Sequence, residues 1–171
     1  KESSAASDVY KRQVYGYGRS VWALIDTDTR QPTDILAFDD GRVKRCTDAK
    51  YLCPIDAVSR VKITDNIQRW HTLVTAYSDV DMNGHINSVK YIEHLLNLWS
   101  MTFHATHPIK RIDVAYVAEA YGGDTLHFDV ETLDELTYAV RIIRQAKGQS
   151  TEQEVCRCKV QFAETLRPKK Q

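Results

Sequence analysis

The segment SDVDMNGHINSVKYIEHLLNLW, from Ser78 to Trp99, joins a polar loop to an amphipathic run. Apolar residues in its second half recur at steps of three and four, namely Ile86, Val89, Ile92, Leu95, Leu96 and Trp99. This spacing places apolar side chains on one face of an α-helix. We therefore predict a helix from Ile86 to about Ser100, which would be about 22 Å long at 1.5 Å per residue.

Segments with β-type patterns flank this predicted helix. The first is WHTLVTAY (70–77), and four more follow: IKRIDVAYVAEA (109–120), TLHFDVETLD (125–134), LTYAVRIIRQAK (136–147) and EQEVCRCKVQFAET (152–165). The connections between the last four are short, which favours antiparallel neighbours. One helix beside such strands predicts the α+β class, with a single antiparallel sheet curled around the helix.

The chain before residue 70 contains no apolar stretch long enough to build a core. Residues 14–60 therefore look like the end of one domain followed by a connector, and residues 61–171 like a second domain. The first 13 residues, KESSAASDVYKRQ, are polar and unpatterned, which predicts a non-native or disordered tail.

The overall charge and the cysteines exclude several classes of function. The 171 residues include 23 Lys and Arg against 23 Asp and Glu, which argues against a large nucleic-acid-binding surface. No apolar run approaches the roughly 18 residues of a membrane span. Cys46, Cys53, Cys156 and Cys158 lack zinc-site spacing, which predicts reduced thiols in a cytosolic protein.

The loop before the predicted helix carries the residue types of a catalytic site. Asp81, Asn83 and His85 lie close to the helix start, and Gly84 allows a tight turn. The first N–H groups of a helix lack intrahelical partners and could stabilise a polarised carbonyl oxygen. Asp81 could then act as base or nucleophile while Asn83 and His85 orient water and substrate. Asp and Asn are also ordinary helix caps, so a purely structural role stays open.

The segment DVDMNGHINSVKYIEH resembles the D-x-N-x-H-x-N-x-x-K-Y segment of acyl-acyl carrier protein thioesterases. These are double hot-dog proteins, in which a long central helix is wrapped by a curved antiparallel sheet. RSVWALIDTDTRQPTDI is similar to the end of the family's first hot dog, and DVAYVAEAYGGDTL to the strand with its catalytic glutamate. The resemblance implies that residues 14–60 end a truncated first hot-dog domain and that 61–171 form the C-terminal one.

The resemblance also implies a catalytic set, consisting of Asp81, Asn83, His85 and Glu119. Plant members place a cysteine directly after the glutamate, whereas this chain has Ala120. The resemblance therefore implies hydrolysis driven by a carboxylate rather than by a thiol nucleophile.

The implied function is hydrolysis of fatty acyl-acyl carrier protein thioesters, releasing free fatty acid during fatty acid biosynthesis. The expected partner is acyl carrier protein with its acyl phosphopantetheine thioester, without a metal, a dissociable cofactor or nucleic acid. We expect a cytoplasmic location, and a homodimer stays open. Two alternatives also stay open: a hot-dog acyl-CoA thioesterase, and a non-catalytic hot-dog module that binds acyl chains.

Overall fold

The chain divides into two compact units, Lys1–Ser59 and Arg60–Gln171. The computed structural model describes residues 2–7, 14–26, 28–29, 31–45, 54–57 and 61–164. The division lies next to the boundary after residue 60 that the sequence suggested. Cys46 and Cys53 lie outside the described residues.

The first unit contains short elements. In its described part these are β1 (Glu2–Ser7), β2 (Val14–Ser20), β3 (Leu24–Ile25), β4 (Pro32–Thr33), a 3-10 helix (Phe38–Gly41) and α1 (Arg42–Arg45). β1 pairs antiparallel with β2, and β3 with β4. The sequence predicted a non-native or disordered tail over residues 1–13, whereas Glu2–Ser7 form a strand. Backbone groups can pair in this way without an apolar alternation in the side chains. Residues 8–13 lie outside the described residues.

The second unit is an antiparallel sheet with helices. Its elements are β5 (Gln68–Val74), a 3-10 helix (Tyr77–Asp79), α2 (Ser88–Leu96), α3 (Met101–Thr106), β6 (Ile109–Tyr116), β7 (Thr125–Asp134), β8 (Thr137–Gln145) and β9 (Glu152–Phe162). The five strands form one sheet in the order β5-β7-β8-β9-β6. This arrangement confirms the predicted α+β class.

The core lies between the sheet and α2. Phe128, Ile142 and Cys156 occupy successive positions across β7, β8 and β9, and all three are fully buried. Tyr91 and Leu95 of α2 belong to the same buried cluster. Burying side chains of this size contributes about 1.5–3 kcal/mol each before conformational entropy is subtracted. The sheet therefore provides a rigid base for α2 and the loop before it.

Helix α2 begins later than the predicted residue Ile86. The N–H of Ile86 donates to the carbonyl of Ala120 at 2.8 Å, and Ile86 forms an isolated β-bridge with Val80. Asn87 then caps the helix, since its side-chain Oδ1 accepts the N–H of Val89 at 3.0 Å. Pairing with a distant segment thus overrides the helical periodicity at Ile86.

Helix α2 also ends before the predicted residue Ser100. Asn97 is its C-cap, and the Ser100 side chain accepts the N–H of Phe103 at 3.1 Å, which starts α3. Val89 is 54% exposed, although the periodicity placed it on the apolar face. The predicted helix is therefore shorter, about 14 Å long, and a second helix, α3, begins just after its predicted end.

Strand β6 is shorter than the predicted segment 109–120. It ends at Tyr116, and the N–H groups of Val117 and Ala118 both donate to the carbonyl of Val155, at 2.9 and 3.2 Å. The chain leaves the ladder at this point. Glu119, expected late in the strand, consequently lies in the segment that follows it.

Candidate active site

The loop between β5 and α2 is a tight turn built around Asp81. Its carboxylate Oδ1 accepts the N–H of Asn83 at 2.8 Å and that of His85 at 3.2 Å. The N–H of Asp81 in turn donates to the carbonyl of His85 at 2.8 Å. Gly84 has a φ of 82°, a conformation that residues with a Cβ rarely adopt. One carboxylate oxygen of Asp81 is therefore engaged in shaping the turn that presents His85.

The segment after β6 pairs with this turn and brings Glu119 to His85. His85 and Tyr121 form an antiparallel bridge, next to the Ile86–Ala120 hydrogen bond. As a result, Nε2 of His85 lies 3.6 Å from Oε2 of Glu119. The Tyr121 hydroxyl donates to the same carboxylate oxygen at 3.2 Å. The imidazole and the carboxylate are both partly exposed, which keeps them accessible to a ligand.

These residues open onto a cavity of about 350 Å³, a size within the range of small-molecule sites. It is lined by Asp81, His85, Ile86, Asn87, Ser88, Tyr91, Tyr116, Ala118 and Glu119. Three of the four predicted site residues, Asp81, His85 and Glu119, thus share one cavity. Asn83 is exposed at the turn and does not line it.

The start of α2 offers fewer N–H donors than the sequence suggested. The N–H of Ile86 is bonded to Ala120, that of Asn87 to the carbonyl of Asp79 at 2.8 Å, and that of Val89 to the Asn87 side chain. The predicted row of unpartnered N–H groups beginning at Ile86 is therefore wrong. Within the described part of the chain, no acceptor is assigned to the N–H of Ser88, a residue of the cavity wall.

Two tyrosines, one from α2 and one from β6, also line the cavity. Burial raises the pKa of Tyr91 well above its usual range and also raises that of Tyr116. The Tyr116 hydroxyl donates to the carbonyl of Ser88 at 2.9 Å. Both hydroxyls therefore stay protonated at neutral pH and do not act as bases.

Over the described ranges, no group of three or more His, Cys, Asp or Glu side chains is placed to hold a metal ion. No helix in those ranges is long and apolar enough to cross a membrane.

The segment that forms the cavity matches a known protein family. Residues 63–164, which include the whole cavity, match the family model described as the acyl-ACP thioesterase C-terminal domain. The chain belongs to the acyl-ACP thioesterase family. The resemblance noted in the sequence is thereby confirmed.

Solved structures of acyl-ACP thioesterases are similar to the chain. One from Bacteroides thetaiotaomicron VPI-5482 is 39% identical with a TM-score of 0.80, and the match covers 94% of this chain and 61% of that one. The 12:0-ACP thioesterase from Umbellularia californica is 19% identical with a TM-score of 0.58, covering 82% and 53%. The predicted hot-dog fold is confirmed, and this chain spans about 61% of the bacterial thioesterase's length. Among curated proteins, the sequence has no match.

In this member of the acyl-ACP thioesterase family, three residues in or beside the cavity were not selected from the sequence. Asn87 and Ser88 line the cavity, and Tyr121 contacts both Glu119 and His85. Asn87 stands in the quoted family segment, four residues after Asn83, so the alternate polar spacing was a usable signal. Tyr121 carried no such signal, because its contacts depend on how the chain turns after β6.

Proposed function

We propose that this protein hydrolyses fatty acyl thioesters of acyl carrier protein, releasing free fatty acid and the carrier thiol in fatty acid biosynthesis. The observation that carries the proposal is the approach of His85 to Glu119 at 3.6 Å in the wall of an open cavity. Membership of the family supports the reaction class. A cytoplasmic location and a homodimer stay predictions.

Glu119 is the better candidate for the general base. The Oδ1 atom of Asp81 already accepts two N–H groups of its own turn, whereas the Glu119 carboxylate is 41% exposed and faces His85. In the proposed step, Glu119 takes a proton from water while the water oxygen bonds to the thioester carbonyl carbon. The carbon–sulfur bond then breaks, and the proton passes to the departing thiolate.

The remaining cavity residues have supporting roles in this proposal. His85 orients the attacking water, and Asp81 holds the turn that carries His85. The N–H of Ser88 and the side-chain amide of Asn87 are the candidate donors to the carbonyl oxygen as its negative charge grows. Asn83 is assigned no contact with substrate, since it lies outside the cavity wall.

The test compares the purified protein with its Glu119→Gln variant on acyl-ACP and on acyl-CoA carrying the same acyl chain. We expect a higher kcat/KM for the carrier-bound thioester, and a fall in kcat of about 10²–10³ in Glu119→Gln, as for loss of a general base. Glu93→Gln is the matched control, because Glu93 is an exposed glutamate of α2 that pairs with Lys90.

Each alternative has its own outcome in this assay. Preference for the coenzyme A ester would transfer the assignment to an acyl-CoA thioesterase. Binding of a non-hydrolysable acyl thioester without any turnover of either substrate would favour an acyl-binding module. Wild-type turnover in Glu119→Gln would remove the proposed base.

A further inference from the structure

Arg144 of β8 contacts the segment that carries Glu119 at three points. Its Nη1 donates to the main-chain carbonyl of Glu119 at 2.7 Å, and its Nε lies 3.2 Å from Oδ2 of Asp124. Its guanidinium carbon also lies 5.0 Å from the centre of the Tyr121 ring. One planar cation therefore spans the turn from Glu119 to Asp124.

Asp124 fixes the other end of this contact. Its side chain is only 7% exposed, and its two oxygens accept the N–H of Tyr121 at 3.0 Å and that of Lys147 at 3.2 Å. A carboxylate buried to this degree needs a charged partner, and Arg144 is placed to provide it. The Arg144–Asp124 pair thus fastens the turn after β6 to the end of β8.

Glu119 lies beyond the end of β6, so its position depends on contacts outside the ladder of that strand. The ladder of β6 ends at Tyr116, and the carboxylate of Glu119 accepts the Tyr121 hydroxyl. Movement of the Glu119 main chain would change the separation between its carboxylate and His85. Misplacement by about 1 Å can lower a rate by about 10²-fold.

We propose that Arg144 is a positioning residue, whose guanidinium holds the Glu119 main chain so that the carboxylate faces His85. The inference rests on the proposed function for its kinetic consequence, though not for its structural one. Arg144 does not line the cavity and is assigned no contact with substrate.

The kinetic test uses Arg144→Met and Arg144→Lys, with Arg141→Met as matched control. Arg141 lies on the same strand and pairs with Asp129 at 3.4 Å, away from the cavity. We expect Arg144→Met to lower kcat by about 10–100-fold while KM changes by less than about threefold. Added guanidinium should restore part of the lost kcat, and Arg141→Met should keep the wild-type value.

Arg144→Lys covers the case in which Arg144→Met does not fold. A lysine keeps a positive charge for Asp124 but cannot donate to Asp124 and Glu119 in the same planar geometry. We expect a folded protein with reduced kcat. Wild-type kcat in a folded Arg144 variant, or an equal loss in Arg141→Met, would overturn the inference.

A crystal structure of Arg144→Met, or of Arg144→Lys if needed, provides the readout that does not depend on activity. The inference expects Oε2 of Glu119 to move away from Nε2 of His85, and an unchanged separation would contradict it. If the wild type hydrolysed no thioester while Glu119 moved in the variant, the proposed function alone would fail. If wild type were active and Glu119→Gln inactive while Arg144→Met matched wild type, the inference alone would fail.

Discussion

Nε2 of His94 lies 2.9 Å from Oδ1 of Asp79, and this contact ties α2 to the loop that carries the candidate site. The other carboxylate oxygen of Asp79 accepts the N–H of Ala76 at 2.8 Å. Its main-chain carbonyl accepts the N–H of Asn87. A single buried aspartate therefore connects the start of the loop, the helix cap and the last turn of the helix.

Asp79 should make the stability of the protein sensitive to acid. Burial acts to raise the pKa of Asp79, but the hydrogen bonds from Ala76 and His94 outweigh it and leave the pKa below its usual value. A lowered folded-state pKa stabilises the protein fully above the unfolded value of about 3.9, and this contribution is lost as the pH falls through the folded value. Asp79→Asn should cost about 1–3 kcal/mol at neutral pH.

Urea denaturation of wild type and Asp79→Asn at several pH values checks this prediction. The difference in unfolding free energy should shrink below about pH 4, where the aspartate of the wild type takes up its proton. A difference that stays constant through that range would show that the charge of Asp79 does not stabilise the fold.

Two substitutions at Asp81 should separate its charge from its role in the turn. Asp81→Asn keeps an oxygen that can accept the N–H groups of Asn83 and His85, whereas Asp81→Ala removes it. We expect kcat to fall by about 10²-fold in Asp81→Ala and by less than about tenfold in Asp81→Asn, because a misplaced His85 costs more than a lost charge. Equal losses in both variants, measured with thermal unfolding as a folding control, would assign the charge a direct role.

Asn83 and Asn87 should differ, although the sequence presents them alike. Asn83 is exposed, so Asn83→Ala should change the unfolding free energy by less than about 0.5 kcal/mol and leave kcat near wild type. Asn87→Ala removes the cap of α2 and should cost about 1 kcal/mol. Chemical denaturation and initial-rate assays of both variants measure this. A larger loss of kcat in Asn83→Ala than in Asn87→Ala would contradict the positions described for these residues.

Leu95 and Val89 provide a test of which face of α2 is buried. Leu95 is fully buried and Val89 is 54% exposed. Leu95→Ala should lower the unfolding free energy by about 2–5 kcal/mol, since it leaves a cavity against the sheet. Val89→Ala should change it by less than about 0.5 kcal/mol. Similar losses in the two variants, measured by urea denaturation, would mean that Val89 is packed.

The fold was predictable wherever local pattern and tertiary pairing agree. The segment 125–134 reads as a strand from its alternation, and β7 occupies the same residues. The residues alone predicted the α+β class, while the hot-dog fold came from the family resemblance. The helix limits were wrong because Ile86 donates to Ala120 and Ser100 caps a new helix. Neither hydrogen bond can be predicted from the apolar periodicity.

The candidate site was predictable only in part, for a related reason. The position of Asp81 and His85 in a polar loop before a helix indicated that they belong to a site, and the family resemblance added Glu119. Arg144 belongs to an alternating strand, where a charged residue is ordinarily solvated. Its contact with Glu119 depends on the turn after β6 folding back towards the end of β8, which no local pattern encodes.

Alkylation of the two cysteines of β9 would report opening of the sheet. Cys156 and Cys158 are fully buried with their sulfur atoms 3.6 Å apart, and the hydrogen bond with Cys156, together with burial, raises the pKa of Cys158. Neutral, enclosed thiols react slowly with alkylating reagents. With Cys46 and Cys53 replaced by serine, the rate of alkylation would measure how often β9 separates from its neighbouring strands.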